Sequence, residues 1–224
     1  VIGFNNVSGP FSGGSFSGYS YSTNSGATFT EVPGGLPPIG TIVPRGDPSL
    51  AMQSGGRFYY STIALDVITE ESSILVYRST DGGVTFAPAF SVVAPCPTPP
   101  CDFLDKPLIT IDRKAGSPFL GRLYMTYTRF LAAGGTDIES CAFRASTGTF
   151  FGCTTLTTED VQGSMPATGP DGEVYVAWEQ FSDTGSPTGA AIFFAKSVNG
   201  GATFSVPGKI SDVTPVMDPV TSLI

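Results

Sequence analysis

The sequence has no histidine, one tryptophan and only four cysteines, and charged residues make up just 13% of it. Without histidine, and with neither cysteine pair at C-x2-C spacing, a zinc site is disfavoured; no metal or other cofactor is expected. Bases are scarce, with 11 Lys and Arg against 19 Asp and Glu for a net charge of −8. The longest basic run is Arg113-Lys114, so a nucleic-acid backbone is repelled, which excludes nucleic acid as a partner. No apolar run approaches the roughly 20 residues that a membrane-crossing helix needs. No charged-then-apolar leader opens the chain, so any export signal is expected outside it. No helical stretch stands out either.

What is present points to an all-β protein. The 28 Gly and 19 Pro are spread along the chain rather than gathered in one tract, and 17 Phe and 8 Tyr supply a core beside the aliphatic residues. The cysteines form two local pairs, Cys96/Cys101 and Cys141/Cys153. Local pairing on an acidic, Ser/Thr/Gly-rich chain favours the disulfides Cys96–Cys101 and Cys141–Cys153 over four reduced thiols, and with them a secreted or cell-surface location. Asn6-Val7-Ser8 is a glycosylation sequon that matters only in a host that glycosylates.

One eight-residue unit recurs. It reads Ser22-Thr23-Asn24-Ser25-Gly26-Ala27-Thr28-Phe29, then Ser79-Thr80-Asp81-Gly82-Gly83-Val84-Thr85-Phe86, then Ser197-Val198-Asn199-Gly200-Gly201-Ala202-Thr203-Phe204. An Asp or Asn that caps its own turn, followed by a Gly free to take positive φ, predicts a tight turn between two strands, closed by a Phe that must be buried. The spacings are 57 and 118 residues, so one unit is missing near the midpoint. Pro48, Pro107 and Pro166 repeat at intervals of 59, and aromatic-rich strands lie between them at 58–63, 123–128 and 174–179. Third strands are expected at 18–22, 74–79, 138–145 and 191–197, with fourth strands opening at Ala27, Val84 and Ala202 and, in the odd repeat, running over 152–157. In that repeat Ala145-Ser146-Thr147-Gly148-Thr149-Phe150 has lost the Asp, and a cross-strand Cys141–Cys153 bridge is expected to substitute.

Four antiparallel strands per repeat of this length predict a β-propeller of four-stranded blades, about four of them present: 1–46 in part, 47–104, 105–163 and 164–217, with 218–224 opening the next. Four blades do not close a ring, so the expectation is a piece of a six- or seven-bladed propeller, with self-assembly as another route to closure.

The units resemble the Asp-box of bacterial neuraminidase repeats, found in sialidases and secreted sialidase-like propellers. The segments 105–112, 121–127 and 169–178 share that character. The resemblance implies that Ser22, Asn24, Gly26, Phe29, Ser79, Asp81, Gly83, Phe86, Ser197, Asn199, Gly201 and Phe204 are structural, on a rim away from any active site. It implies for true sialidases an arginine triad, a Tyr–Glu nucleophile pair and an Asp acid/base. The family's opening Phe/Tyr-Arg-Ile-Pro motif is absent, and Pro44-Arg45-Gly46-Asp47-Pro48 is the nearest candidate.

Antiparallel connectivity puts the chemistry on the face opposite these turns. Asp47 and Asp105, before successive Pro-led strands, are candidate acids whose competing role is to cap blade-to-blade turns, and Tyr127 beside Arg129 is a candidate nucleophile. Arg45, Arg129, Trp178 and Glu179 are candidate ligand contacts, Trp178 with a packing role as its alternative. The expected function is recognition of a glycan or an extracellular protein, or surface assembly; the alternative is a glycoside hydrolase that cleaves acidic sugars.

Overall fold

The computed structural model describes residues 1–6, 15–94, 100–181, 183–186 and 188–214. Strands β1 (Ile2–Asn5), β2 (Ser17–Tyr21) and β3 (Thr30–Glu31) make a first sheet of three strands. The second sheet is β4 (Ile42–Gln53), β5 (Arg57–Asp66), β6 (Ser72–Ser79) and β7 (Ala87–Val93). The third is β8 (Phe103–Ile111), β9 (Arg122–Phe130), β10 (Thr136–Arg144) and β11 (Thr149–Thr157); the fourth is β12 (Val161–Thr168), β13 (Val174–Gln180), β14 (Ala190–Ser197) and β15 (Gly208–Val213). Each is an antiparallel meander in chain order, as in propeller blades, and there is no helix among the described residues. In the first sheet β2 leads into the turn at 22–29, so β2 matches β6 and β1 matches β5; an innermost strand is absent from the described part of that sheet.

Alternation along the second and third strands sends apolar side chains to both faces, and three clusters cement consecutive sheets. Tyr19, Tyr60, Leu75 and Phe86 join the first sheet to the second; Tyr59, Val76, Leu104, Met125 and Phe143 join the second to the third; Tyr124, Val161, Val176 and Trp178 join the third to the fourth.

The three repeated turns share one hydrogen-bond pattern. In the second sheet Ser79 Oγ donates to Asp81 Oδ1 (2.7 Å) and accepts from Gly83 N (2.8 Å), while Asp81 Oδ1 also accepts from Thr85 N (3.0 Å). Ser22 and Asn24, and Ser197 and Asn199, repeat it. The Asp or Asn captures the Thr N–H, which keeps the Thr-Phe pair in the turn. The fourth strands therefore open at Thr30, Ala87 and Gly208, later than the sequence predicts. Of the closing aromatics, Phe86 is buried edge-on against Tyr19 (4.9 Å between centroids), Phe204 is half-buried, and Phe29 is exposed, contrary to expectation. Phe86 has a preceding sheet to pack on; Phe29 has none among the described residues.

In the third sheet Cys141 and Cys153 are direct cross-strand partners and form a disulfide, as expected. Cys101 is also disulfide-bonded, while Cys96 lies outside the described residues, as do Val7 and Ser8 of the sequon.

Candidate functional site

The two ends of the sheets are distinct. At one end the repeated turns meet the first hairpin of each sheet: Gly82 N donates to Gly56 O (3.1 Å) and Arg122 Nη1 to Gly200 O (2.6 Å). The other end, the mouth, gathers the remaining loops, where Ala132 N donates to Asp102 Oδ1 (2.8 Å) and Thr136 Oγ1 to Glu159 O (3.1 Å).

Near the mouth the innermost strands β4, β8 and β12 each carry a β-bulge at the same level. Asp47 and Pro48 face the single residue Thr62, Lys106 and Pro107 face Tyr127, and Gly163 and Ser164 face Trp178. The first residue of each bulge is left-handed, with φ of 52° at Asp47, 50° at Lys106 and 70° at Gly163. Proline suits the second position, since a bulge leaves a backbone group out of the ladder. For Asp and Lys, φ of this sign costs about 1–2 kcal/mol, and such strain concentrates at functional sites.

Neighbouring sheets hold these bulges. Gly46 N donates to Ser17 Oγ (2.9 Å) and Asp47 N to Asn5 Oδ1 (2.9 Å). Ser61 donates to Pro107 O (3.1 Å), and the equivalent Thr126 to Ser164 O (3.2 Å). Asp47, Pro48, Lys106, Pro107, Leu108 and Gly163 together line an open cavity of about 270 Å³. It combines apolar walls with an acid and a base, the make-up of a small-ligand site.

Bulge register corrects the sequence alignment. Asp47 is the counterpart of Lys106, whereas Asp105 corresponds to Gly46, and Pro166 lies two residues beyond the bulge position held by Pro48 and Pro107. Asp105 lies outside the cavity lining; its carboxylate accepts from Lys106 N (2.9 Å) and pairs with Lys106 Nζ (3.6 Å). The Asp47 carboxylate has no such partner among the described residues.

A second group lies between the second and third sheets at the mouth. Arg129 reaches Asp102 Oδ2 through Nε (2.7 Å) and Nη2 (2.6 Å) and comes within 3.8 Å of Glu139. Burial raises the carboxyl pKa of both Asp137 and Glu139; Arg129 opposes this for Asp137, and the Thr155 hydroxyl with Arg129 opposes it for Glu139. Arg129 is thus surrounded by acids. Tyr127 is 4% exposed, and burial, reinforced by Glu139, pushes its pKa up, so its phenol holds the proton tightly. Its oxygen lies 3.8 Å from Cys141 Sγ, and because that sulfur is in the disulfide the hydroxyl is the donor. Trp178 is buried in the cluster between the third and fourth sheets, its indole N–H without a partner among the described residues. Arg45 and Glu179 are half-buried and outside the cavity lining. Of the sequence candidates, then, only Asp47 lines the cavity. Lys106 and Gly163 were missed, although Lys106-Pro107 stands 59 residues after Asp47-Pro48.

Charge divides between the ends. Arg57, Arg78, Arg113, Lys114, Arg122, Arg144 and Lys196 lie at the turn end, while most carboxylates lie toward the mouth. There Lys106, Arg129 and Lys209 are each paired with a carboxylate. No group of acids or cysteines among the described residues is placed to hold a metal ion, and no helix there is long and apolar enough to cross a membrane.

No protein-family model matches the sequence, and no curated protein matches it. Among solved structures the chain is similar to the α-L-arabinofuranosidase Arb93a from Fusarium graminearum in complex with an iminosugar inhibitor (TM-score 0.63, 15% identity, 88% of this chain and 59% of that one). It is similar to a protein of unknown function from Dyadobacter fermentans (0.60, 15%, 88% and 52%). A Hadza microbial sialidase also matches (0.52, 16%, 70% and 36%). The chain spans about three fifths of the length of the arabinofuranosidase. At such identities the likeness concerns the fold, and with the four sheets described above it makes this chain a β-propeller.

Proposed function

We propose that the chain belongs to a secreted, sialidase-like Asp-box propeller that recognises a glycan at its mouth. The observation that carries this reading is the cavity at the aligned bulges, where Asp47 and Lys106 keep a costly backbone conformation and converge on one space. Pro48, Pro107 and Leu108 offer apolar walls to the C–H face of a sugar ring; Asp47 offers a free acceptor to its hydroxyls.

The charge pattern favours a glycan without a carboxylate. A substrate carboxylate in the cavity calls for an uncommitted guanidinium there; Arg129 is held by Asp102 and Lys106 by Asp105, and Arg45, which meets no carboxylate among the described residues, lies outside the cavity lining. The surrounding acids add repulsion. Calorimetric titration of the full-length protein with neutral arabino- and xylo-oligosaccharides and with sialyllactose tests the reading. Neutral oligosaccharides bind, with affinity lowered at least about tenfold by Asp47→Ala through the lost charged hydrogen bond; sialyllactose does not. Absence of binding by every neutral glycan, or equal binding by the Asp47 variant, refutes it.

A hydrolase is the second reading, favoured by the unpaired Asp47 carboxylate in the cavity, which could serve as acid or base. Turnover of fluorogenic arabinofuranosides or xylosides that disappears in Asp47→Asn supports it; binding without turnover leaves recognition.

A further inference from the structure

We propose that the turn end carries a separate docking surface, built on Arg122, Arg144 and Phe151, for an acidic peptide segment of a protein partner. Arg122 lies with its guanidinium 4.1 Å from the Phe151 ring centroid and 4.9 Å from that of Phe119, and donates to Gly200 O. Arg144 approaches the same Phe151 ring at 5.7 Å. Two rings and the Gly200 carbonyl hold Arg122 in place, so little of its side-chain freedom is left to lose on binding, while Arg144 is exposed beside it.

Neither guanidinium meets a carboxylate among the described residues, nor does Arg78, which donates to Ser146 O (2.9 Å) close in sequence to Arg144. At the mouth of this acidic protein Lys106, Arg129 and Lys209 are paired, with Arg45 the exception among the described residues. Two guanidiniums beside one ring, free of carboxylates among the described residues, are complementary to carboxylates. Gly200 permits the close approach beneath them, because a Cβ there would collide with Arg122 and Phe119.

Apolar surface surrounds this charge. Leu120 (52%), Phe150 (54%), Phe151 (44%) and Val198 (70%) are exposed. A cavity of about 150 Å³ opens between β11 and the turn at 197–204, lined by Arg122, Phe151, Gly152 and Gly201 among others. Arginine and aromatic anchors with apolar neighbours and few acids are the composition of a protein-recognition hot spot. β11 is the outer edge of its sheet and presents backbone groups to an extended segment. An acidic polysaccharide fits less well: the Phe151 ring already carries two cations, which leaves poor stacking surface for sugars, and Leu120 and Val198 call for apolar side chains.

Fluorescence anisotropy on the full-length protein, with a labelled peptide of alternating Glu and Leu, tests the proposal. Binding is expected to weaken at least about tenfold in Arg144→Glu and in Phe151→Ser, and severalfold as salt rises from about 0.05 to 0.3 M through screening. Asp47→Ala leaves it unchanged, which separates this surface from the mouth, and oligogalacturonate competes poorly. No peptide binding, an affinity unaltered by Arg144→Glu in a variant that melts like the parent, or oligogalacturonate that binds as tightly as the peptide overturns it.

Discussion

Asp47 and Lys106 occupy the same position of the same bulge in adjacent sheets, with φ of 52° and 50°, and both line one cavity. Gly163 fills this position in the fourth sheet without steric cost. Lys106→Gly is therefore expected to be about 1 kcal/mol more stable than Lys106→Ala in urea unfolding, because only the alanine must hold a Cβ in a left-handed backbone. Equal stability of the two variants counts against strain at the bulge.

The disulfide invites a similar comparison. Cys141 and Cys153 close a short loop around the one third-to-fourth-strand turn that lacks the Asp or Asn pattern. Replacing both by Ala should cost roughly 2–3 kcal/mol through unfolded-state entropy. Amide exchange is expected to accelerate first at Thr147 and Gly148 in the turn, whose N–H groups donate locally to Arg144 O (3.2 and 2.7 Å). Uniform acceleration across all four sheets contradicts that local role.

These two sites differ in how far the sequence exposes them. The Ser-x-(Asp/Asn)-x-Gly turns were legible because the bonds that define them, among the Ser and Asp or Asn side chains and the Gly and Thr amides, span four residues or fewer, so spacing alone reveals them. The cysteines announced the exceptional turn for the same reason. Bulge register is a property of two strands: the extra residue in β12 falls at Gly163, before Ser164, and a proline ladder read along the chain slides past it to Pro166. Between the second and third sheets the same ladder does align Asp47 with Lys106, and Asp105 is a second acid one residue out of register with Asp47. The acids around Arg129 were harder still, since Asp102, Asp137 and Glu139 arrive from a loop and from β10 and meet only once the meander folds.

Asp81 provides a pH test at the turn end. Bonds from the Thr85 hydroxyl and backbone, then from Ser79, lower its pKa to about 2. A depressed carboxyl pKa adds stability that is complete above the unfolded value near 3.9 and is lost as pH falls toward about 2. Asn24 and Asn199 show that an amide serves in the same turn, with its Nδ2 donating to the Thr hydroxyl at 2.8 Å in both copies. Asp81→Asn should therefore fold and lose less stability than the parent between pH 4 and pH 2. Identical acid titration of stability in parent and variant argues against the depressed pKa.

At the mouth the sign reverses. Burial raises the pKa values of Asp137 and Glu139 in the fold, so their ionisation costs stability: the neutral-form advantage is full below their unfolded values and is lost as pH rises through the raised ones. Arg129 limits that loss by facing both acids as well as Asp102. Arg129→Met removes the cation and leaves three carboxyls around an apolar side chain, at an expected cost of about 2–3 kcal/mol at pH 7. Near pH 4 the cost shrinks, because Asp137 and Glu139 take up protons. It does not vanish, since Asp102 retains only the Ala132 N–H at 2.8 Å. Denaturant titrations of parent and variant at both pH values measure the difference, and a penalty that does not depend on pH would mean that Arg129 contributes packing alone.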